Sequence, residues 1–327
     1  MVDAAVQPQP AERPTGAHPL LGFVLVWSAV ALWAVNATVS KVVLDSAGLS
    51  AMRLAEVRAT GSALILMAAV AIVRPGSLRV RSWRELGFLA VFGIAGLAFV
   101  QLFYFVAIER LDIGIALVIQ YLAPVFVALW ARFVVKEPVR RRLWVAIGLA
   151  LLGLALVVDI AGGMTLDGVG VAACLVTAVA YAAYVLMAER ALREGRDQFS
   201  LLAWGFTFSA LFWAAVQPWW SFPWDTVEGS VSLLGRLEDV DSQVWLLLGY
   251  LIVLGTIVPF LLMVTALHSI PATRVTVIAM LEPALAAVVA YAWLGEELTA
   301  PQILGCLLVL AAVAIAQTAR ATDYARS

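Results

Sequence analysis

Ten stretches of about 20 apolar residues, separated by short polar connections, fill almost the whole of this 327-residue chain. A helix rising about 1.5 Å per residue needs roughly 20 such residues to cross about 30 Å of hydrocarbon. The stretches lie near residues 20–40, 54–73, 86–107, 113–134, 143–159, 168–188, 199–220, 244–267, 272–294 and 300–319. The chain is 63% hydrophobic and 13% charged, with a mean hydropathy of +0.97. Soluble domains carry roughly 45–50% apolar and about 25% charged residues, so here the bilayer must supply much of the solvent. The expected fold class is therefore all-α, a polytopic membrane protein of ten transmembrane helices.

Residues 1–19 are rich in Pro and Ala and read as a disordered cytoplasmic lead-in; residues 320–327 read as a cytoplasmic tail. The run from Leu20 is too long for a signal-peptide core and has no small-residue cleavage site after it, so it counts as a span. With the N-terminus inside, 16 of the 21 basic residues fall on the inner half, including Arg74, Arg79, Arg81, Arg84, Arg140, Arg141, Arg142, Arg190, Arg193 and Arg196. Lys/Arg bias of short loops sets orientation, so both termini are expected in the cytoplasm. Residues 221–243 are acidic and long enough for a small external cap. The net charge of −1 excludes a nucleic-acid partner, which needs clustered positive charge. Cys174 and Cys306 sit in apolar runs without paired spacing and carry no redox or metal signal, and no cofactor is expected.

The chain also repeats itself. Residues 115–124, IALVIQYLAP, align with 274–283, RVTVIAMLEP, 159 positions later, and the same offset matches Gly96 to Gly255 and Glu137 to Glu296. At an offset of 148, Trp33 and Asn36 meet Tyr181 and Tyr184, placing span one on span six. Residues 20–160 thus form one five-span copy and 168–319 a second. Five is odd, so the second copy must be inverted in the membrane. Inverted repeats are a common secondary-transporter architecture, with substrate held near mid-membrane between the halves.

Each copy carries Leu-x-Pro, an apolar stretch, Glu, then a Gly-bearing span: Leu122–Ala123–Pro124, Glu137, Gly148, and Leu281–Glu282–Pro283, Gly295–Glu296, Gly305. This arrangement resembles the EamA domain pair of the drug/metabolite transporter superfamily over residues 20–318. The resemblance implies ten helices in a five-plus-five inverted arrangement and, commonly, export of small metabolites such as amino acids. Lys136–Glu137–Pro138 departs from the usual Gly-Glu pair. The expected location is a bacterial inner membrane.

Several residues are candidates for the transport chemistry. Pro124 and Pro283 stand mid-span, where a proline removes one N–H and kinks the helix, so both are candidates for a conformational role. Glu282 is a carboxylate at the bilayer midplane, costing about 2.5–3.5 kcal/mol on insertion scales, and such groups face a cavity or a partner. It reads either as a substrate-binding or proton-coupling group or as a structural ion pair. Trp33 and Asn36 share one face of span one; Thr177, Tyr181 and Tyr184 share one face of span six. With Gln101, Tyr104, Gln120 and Tyr121 they are expected to line a cavity with Glu282, the other reading being contacts between helices. Arg58 and Arg274 are candidate charge partners for an anionic substrate group, or residues that reach to the headgroups. His268 and the tryptophans near span ends, Trp83, Trp144, Trp219, Trp220, Trp224, Trp245 and Trp293, read as interfacial.

The function so expected is a secondary transporter exporting a polar or zwitterionic solute of amino-acid size by alternating access, with protons as a candidate coupling ion. A lipid-linked flippase or drug efflux carrier on the same scaffold is the alternative. An intramembrane enzyme is remote: there are two histidines, no HExxH and no GxSxG. No phosphate-binding GxxxxGK[ST] loop occurs, so ATP is not the direct energy source.

Overall fold

The computed structural model describes residues 19–108, 110–111, 113–136, 139–157, 167–295 and 299–318. Residues 1–18 of the expected lead-in, the tail, Glu137, Asp159 and Glu296 lie outside the described residues. The described chain is almost entirely helical, and eight of its helices are long and apolar enough to cross a membrane. Helix α1 (Pro19–Ala47) starts at the last residue of the expected lead-in, since a proline suits the first turn, where its missing N–H is not needed. Helix α2 (Ala51–Val73) follows. The third span runs through α3 (Trp83–Val91), a π-helical turn (Phe92–Ala98) and α4 (Phe99–Ile108). The fourth is broken into α5 (Ile113–Gln120) and α6 (Ala123–Phe133), and α7 (Arg141–Val157) comes next. The later chain forms α8 (Gly168–Arg193) and α9 (Gln198–Val216). Beyond them lies a small cap with a one-turn helix, α10 (Trp224–Val227), and an antiparallel pair, β1 (Ser230–Ser232) with β2 (Asp241–Gln243). Helix α11 (Val244–Ile252), a second π turn (Val253–Ile257) and α12 (Val258–Ala266) make one span. The next is broken into α13 (Ala272–Ala279) and α14 (Glu282–Leu294), and α15 (Ala300–Thr318) ends the described chain.

Polar caps set the helix starts. Ser50, Ser82, Asp167 and Asp197 each accept a hydrogen bond from the backbone N–H three residues on, satisfying a donor the first turn leaves free. Glu85 completes a reciprocal cap by accepting from Arg81 N. At the other end of an element, Gly295, at φ 74°, turns the chain out of α14.

The mid-span prolines do more than kink. In both broken spans the ladder tightens to i→i−3 bonds, Leu122 N to Ile119 O and Leu281 N to Ile278 O, and a new helix then starts with the proline in its first turn. A proline ring collides with the carbonyl four residues back, and ending one helix while starting another relieves that collision. The two breaks lie 159 residues apart, and so do the glycines of the two π turns, Gly96 and Gly255.

Close contacts between distant parts of the chain recur in matched form. A Cβ on Gly255 would strike Asn36 Oδ1, and one on Gly96 would meet the Tyr184 backbone at 3.2 Å. Likewise α7 packs along α15, where a Cβ on Gly153 would lie 2.7 Å from Gly305 O and one on Gly305 would lie 2.5 Å from Gly153 O.

Contacts also sort the connections into two groups. Arg74 pairs with Asp197, Ser200 donates to Ser77 O, Ala272 N donates to Glu189, and Gly22 abuts Ser269. Away from these, Arg53 reaches Pro218 O and Ser221, and Trp293 donates to Leu233 O of the cap. Outward-facing Leu64, Ile72, Leu152, Leu211, Leu304 and Leu307 stay exposed, as lipid-facing positions must when the solvent is hydrocarbon. The chain is thus a polytopic α-helical membrane protein.

Candidate functional site

The site grows from the two broken spans. A helix break leaves carbonyls of the preceding half-helix and N–H groups of the following one without ladder partners, inside the bundle. Glu282 is the first residue of α14, where the half-helix dipole favours negative charge. This placement offsets part of the cost of a carboxylate at this depth. Its Oε2 accepts a hydrogen bond of 3.0 Å from the Tyr121 hydroxyl, which lies at the matching break in the other half of the chain. Two points that interrupt the backbone thus meet through their side chains.

Around this pair stand Arg58, Tyr104 and Tyr181, all within electrostatic reach of the Glu282 carboxylate. Arg58 is oriented by the second π turn: Nε donates to Thr256 Oγ1 at 2.9 Å and Nη2 to Gly255 O at 3.2 Å. A π turn frees backbone carbonyls from the regular ladder, so this one can accept a side-chain donor. Thr256 Oγ1 in turn donates to Leu251 O. Only two of the five guanidinium N–H donors are used in these bonds, leaving others available at the site.

An aromatic wall adjoins the charges. Phe260 makes edge contacts with Trp33 at 5.3 Å, Tyr184 at 5.5 Å and Phe206 at 5.3 Å between ring centroids. Tyr184 continues to Tyr181 at 6.0 Å and to Phe92 at 5.6 Å. Edge-to-face aromatic pairs contribute about 0.5–1.5 kcal/mol each beyond area burial, so the wall is stiff. Among the described residues, Asn36 Oδ1 and Tyr184 Oη are buried without a hydrogen-bond partner.

The structure brings together most, not all, of the residues singled out from sequence. Tyr104, Tyr121, Tyr181, Arg58 and Glu282 converge, and Trp33, Asn36 and Tyr184 stand in the adjoining wall. Gln101 and Gln120 are half-buried. Thr177 departs from the expectation: it is fully buried and its hydroxyl donates to Ala173 O of its own helix, so it offers no group to a cavity. Arg58 does not reach to the headgroups, since it turns inward onto the π turn between α11 and α12. Arg274 is also buried, 5.9 Å from the Phe23 ring, where a guanidinium is attracted to the ring face. Pro124 and Pro283 start half-helices. His268 is exposed at the end of α12, and Trp83 and Trp220 are exposed at helix ends.

Sequence reasoning missed Thr256 and Phe260. Neither is unusual within an apolar span, and only the side chains packed on them reveal what they hold. Among the described residues no group of three or more His, Cys, Asp or Glu is placed to hold a metal ion.

Comparison with known proteins agrees with this architecture. The model of the EamA-like transporter family matches residues 20–159 and again 168–318. The threonine/homoserine exporter RhtA of Salmonella typhimurium is 28% identical over 300 residues, covering 90% of this chain and 89% of the exporter. A transporter of Archaeoglobus fulgidus is 29% identical over 216 residues, covering 65% of this chain and 70% of its own. The Bacillus subtilis transporter YdfC is 23% identical, covering 77% of each chain. One solved crystal structure superposes with a TM-score of 0.72 over 90% of this chain and 96% of its own at 18% identity, which speaks to the fold. With both tandem matches in sequence, and a bundle of membrane-spanning helices to carry them, the chain belongs to the EamA-like transporter family and is a transporter rather than an enzyme.

Proposed function

We propose that this protein exports a small zwitterionic metabolite of amino-acid size by alternating access, with the substrate held between Glu282 and Arg58. The observation that carries the reading is the Tyr121–Glu282 hydrogen bond, which joins the two helix breaks beside an inward-turned arginine. Glu282 suits an ammonium group and the unused N–H donors of Arg58 suit a carboxylate. The aromatic wall from Trp33 to Tyr181 bounds the apolar part of the solute. A relative named as a threonine/homoserine exporter supports this substrate class.

The proposed frame is ten spans in two inverted copies of five, α7 and α15 being the fifth and tenth. Both are shorter in their described parts, and both run up to residues not described. Support comes from the matched breaks, the matched π turns and the reciprocal contacts Asn36–Gly255 and Tyr184–Gly96. Contacts of this kind suit halves that exchange conformations about a central axis. Protonation of Glu282 would release the ammonium end, which couples the solute to a proton gradient. The proposed location is a bacterial inner membrane, both termini cytoplasmic, following the arginine-rich connections.

The test is uptake into proteoliposomes, with and without a proton gradient, of an amino-acid panel that includes threonine and homoserine. Gradient-dependent transport of at least one member is expected, reduced at least about tenfold by Glu282→Gln, the scale of losing one charge-assisted contact. Transport and pH dependence both unchanged in that variant would remove Glu282 from the mechanism.

A further inference from the structure

A cavity of about 390 Å³ lies at an arginine-rich end of the bundle, where the start of α3 meets the α8–α9 connection. None of Glu282, Tyr121 and Arg58 lines it. Its rim carries four guanidinium groups, from Arg81, Arg84, Arg190 and Arg196, and its inner wall is apolar at Phe88 and Leu89.

The charges do not cancel. Two carboxylates line the cavity, and each is already occupied. Glu85 pairs with Arg196 Nη1 and accepts from Arg81 N, while Glu194 pairs with Arg190 Nε at 2.7 Å. Among the described residues no carboxylate forms an ion pair with the side chain of Arg81 or Arg84, so the cavity keeps a net double positive charge. Arg196 is held inside the fold by Glu85 and by Ser200 Oγ at 2.9 Å, so the uncompensated charge is that of Arg81 and Arg84. The N-terminus of α3, capped by Ser82 at the rim, adds partial positive charge to the same space.

The surroundings select the kind of anion. Trp83 is 87% exposed immediately beside the rim, the position of an interfacial anchor. Phe88 lies under the Arg190 guanidinium at 6.0 Å. A free anion has no use for an apolar wall beneath a basic rim, whereas the phosphate and first acyl carbons of a lipid match both.

We propose that this cavity binds the phosphodiester of an anionic phospholipid from the bordering leaflet. Bound there, the lipid ties the start of α3 to the α8–α9 connection, two segments already joined by the ion pair of Arg196 with Glu85.

The test titrates short-chain phosphatidylglycerol, phosphatidylcholine with the same acyl chains, and inorganic phosphate separately into the purified full chain in nonionic detergent. Binding is read by native mass spectrometry and by the thermal shift. Phosphatidylglycerol is expected to bind tightest. The double variant R81Q/R84Q should weaken it at least about tenfold, given the attraction each arginine adds near an anionic lipid. Arg79→Gln, on the same connection but outside the cavity, should leave binding within about twofold of the unaltered chain. Equal binding of phosphatidylcholine would overturn the proposal, as would phosphate binding as tightly as the lipid. So would an unaffected double variant, or an equal loss in R79Q, which would mark diffuse surface attraction. Should the double variant not fold, each single change at these exposed, unpaired arginines carries the same reading, with about a fivefold loss expected.

Discussion

At the scale of single residues, the bond between Tyr121 and Glu282 is the most consequential contact, because each member sits at a helix break, Tyr121 just past the end of α5 and Glu282 at the start of α14. Tyr121→Phe keeps the ring and deletes the donor, leaving the carboxylate with one fewer hydrogen bond at membrane depth. The expected cost is about 1.5–3 kcal/mol if the carboxylate is charged, measured as a lowered unfolding temperature in nanodiscs. A Tyr121→Phe protein as stable as the original, and as active, would show that the bond holds nothing. Arg58→Lys tests the geometry differently. An ammonium cannot span Thr256 Oγ1 and Gly255 O as the planar fork does, so transport should fall although the charge is kept. Of these three residues, Glu282 was legible in sequence as an intramembrane carboxylate beside a proline. That Tyr121 would meet it across 161 positions was not, because nothing local links them.

At the scale of elements, the π turns and glycine contacts decide how closely helices approach. Gly255→Ala would drive a methyl group into Asn36 Oδ1 and force that buried amide to turn away from the second π turn, which also carries the two acceptors of Arg58. Gly305→Ala would meet backbone of α7 rather than a flexible side chain, so nothing near it can yield cheaply. Each should destabilise by about 1–3 kcal/mol, the usual range for overpacking. Gly148→Ala is the control: nothing lies within 4 Å of a Cβ there, and alanine in a helix should be neutral or stabilise by up to about 1 kcal/mol. Thermal unfolding of the three side by side checks the ordering. The helices themselves were readable, since apolar length and capping residues are local properties. The break at each Leu-x-Pro was only half readable. Proline announced a disturbance, but whether a helix bends or stops depends on what packs beside it.

At the scale of the whole molecule, the contacts that group the connections make a sidedness prediction. In a background lacking Cys174 and Cys306, cysteines at Ser77 and Gly195 should react with an impermeant reagent from one side of the membrane. Cysteines at Ser50 and Ser221 should react from the other. Reaction of all four from one side would break the alternation on which two inverted copies depend. The same experiment tests the basic connections as the cytoplasmic ones, a reading that rests on arginine distribution.

Whatever adds up along the chain was readable from sequence alone: the number and length of apolar stretches, the helix starts, the spacing between similar motifs, and the presence of an acidic residue mid-span beside a proline. Hydrophobic burial in lipid and helix capping are decided within a turn or a span, so they can be read without coordinates. The rotation of each helix about its axis, by contrast, emerged only from how the helices pack. That rotation turned Arg58 inward, buried Thr177 against neighbouring helices, and brought Tyr121 to Glu282. Helix rotation in a bilayer is set by close packing against neighbours far away in sequence, and no property of a single span contains that information.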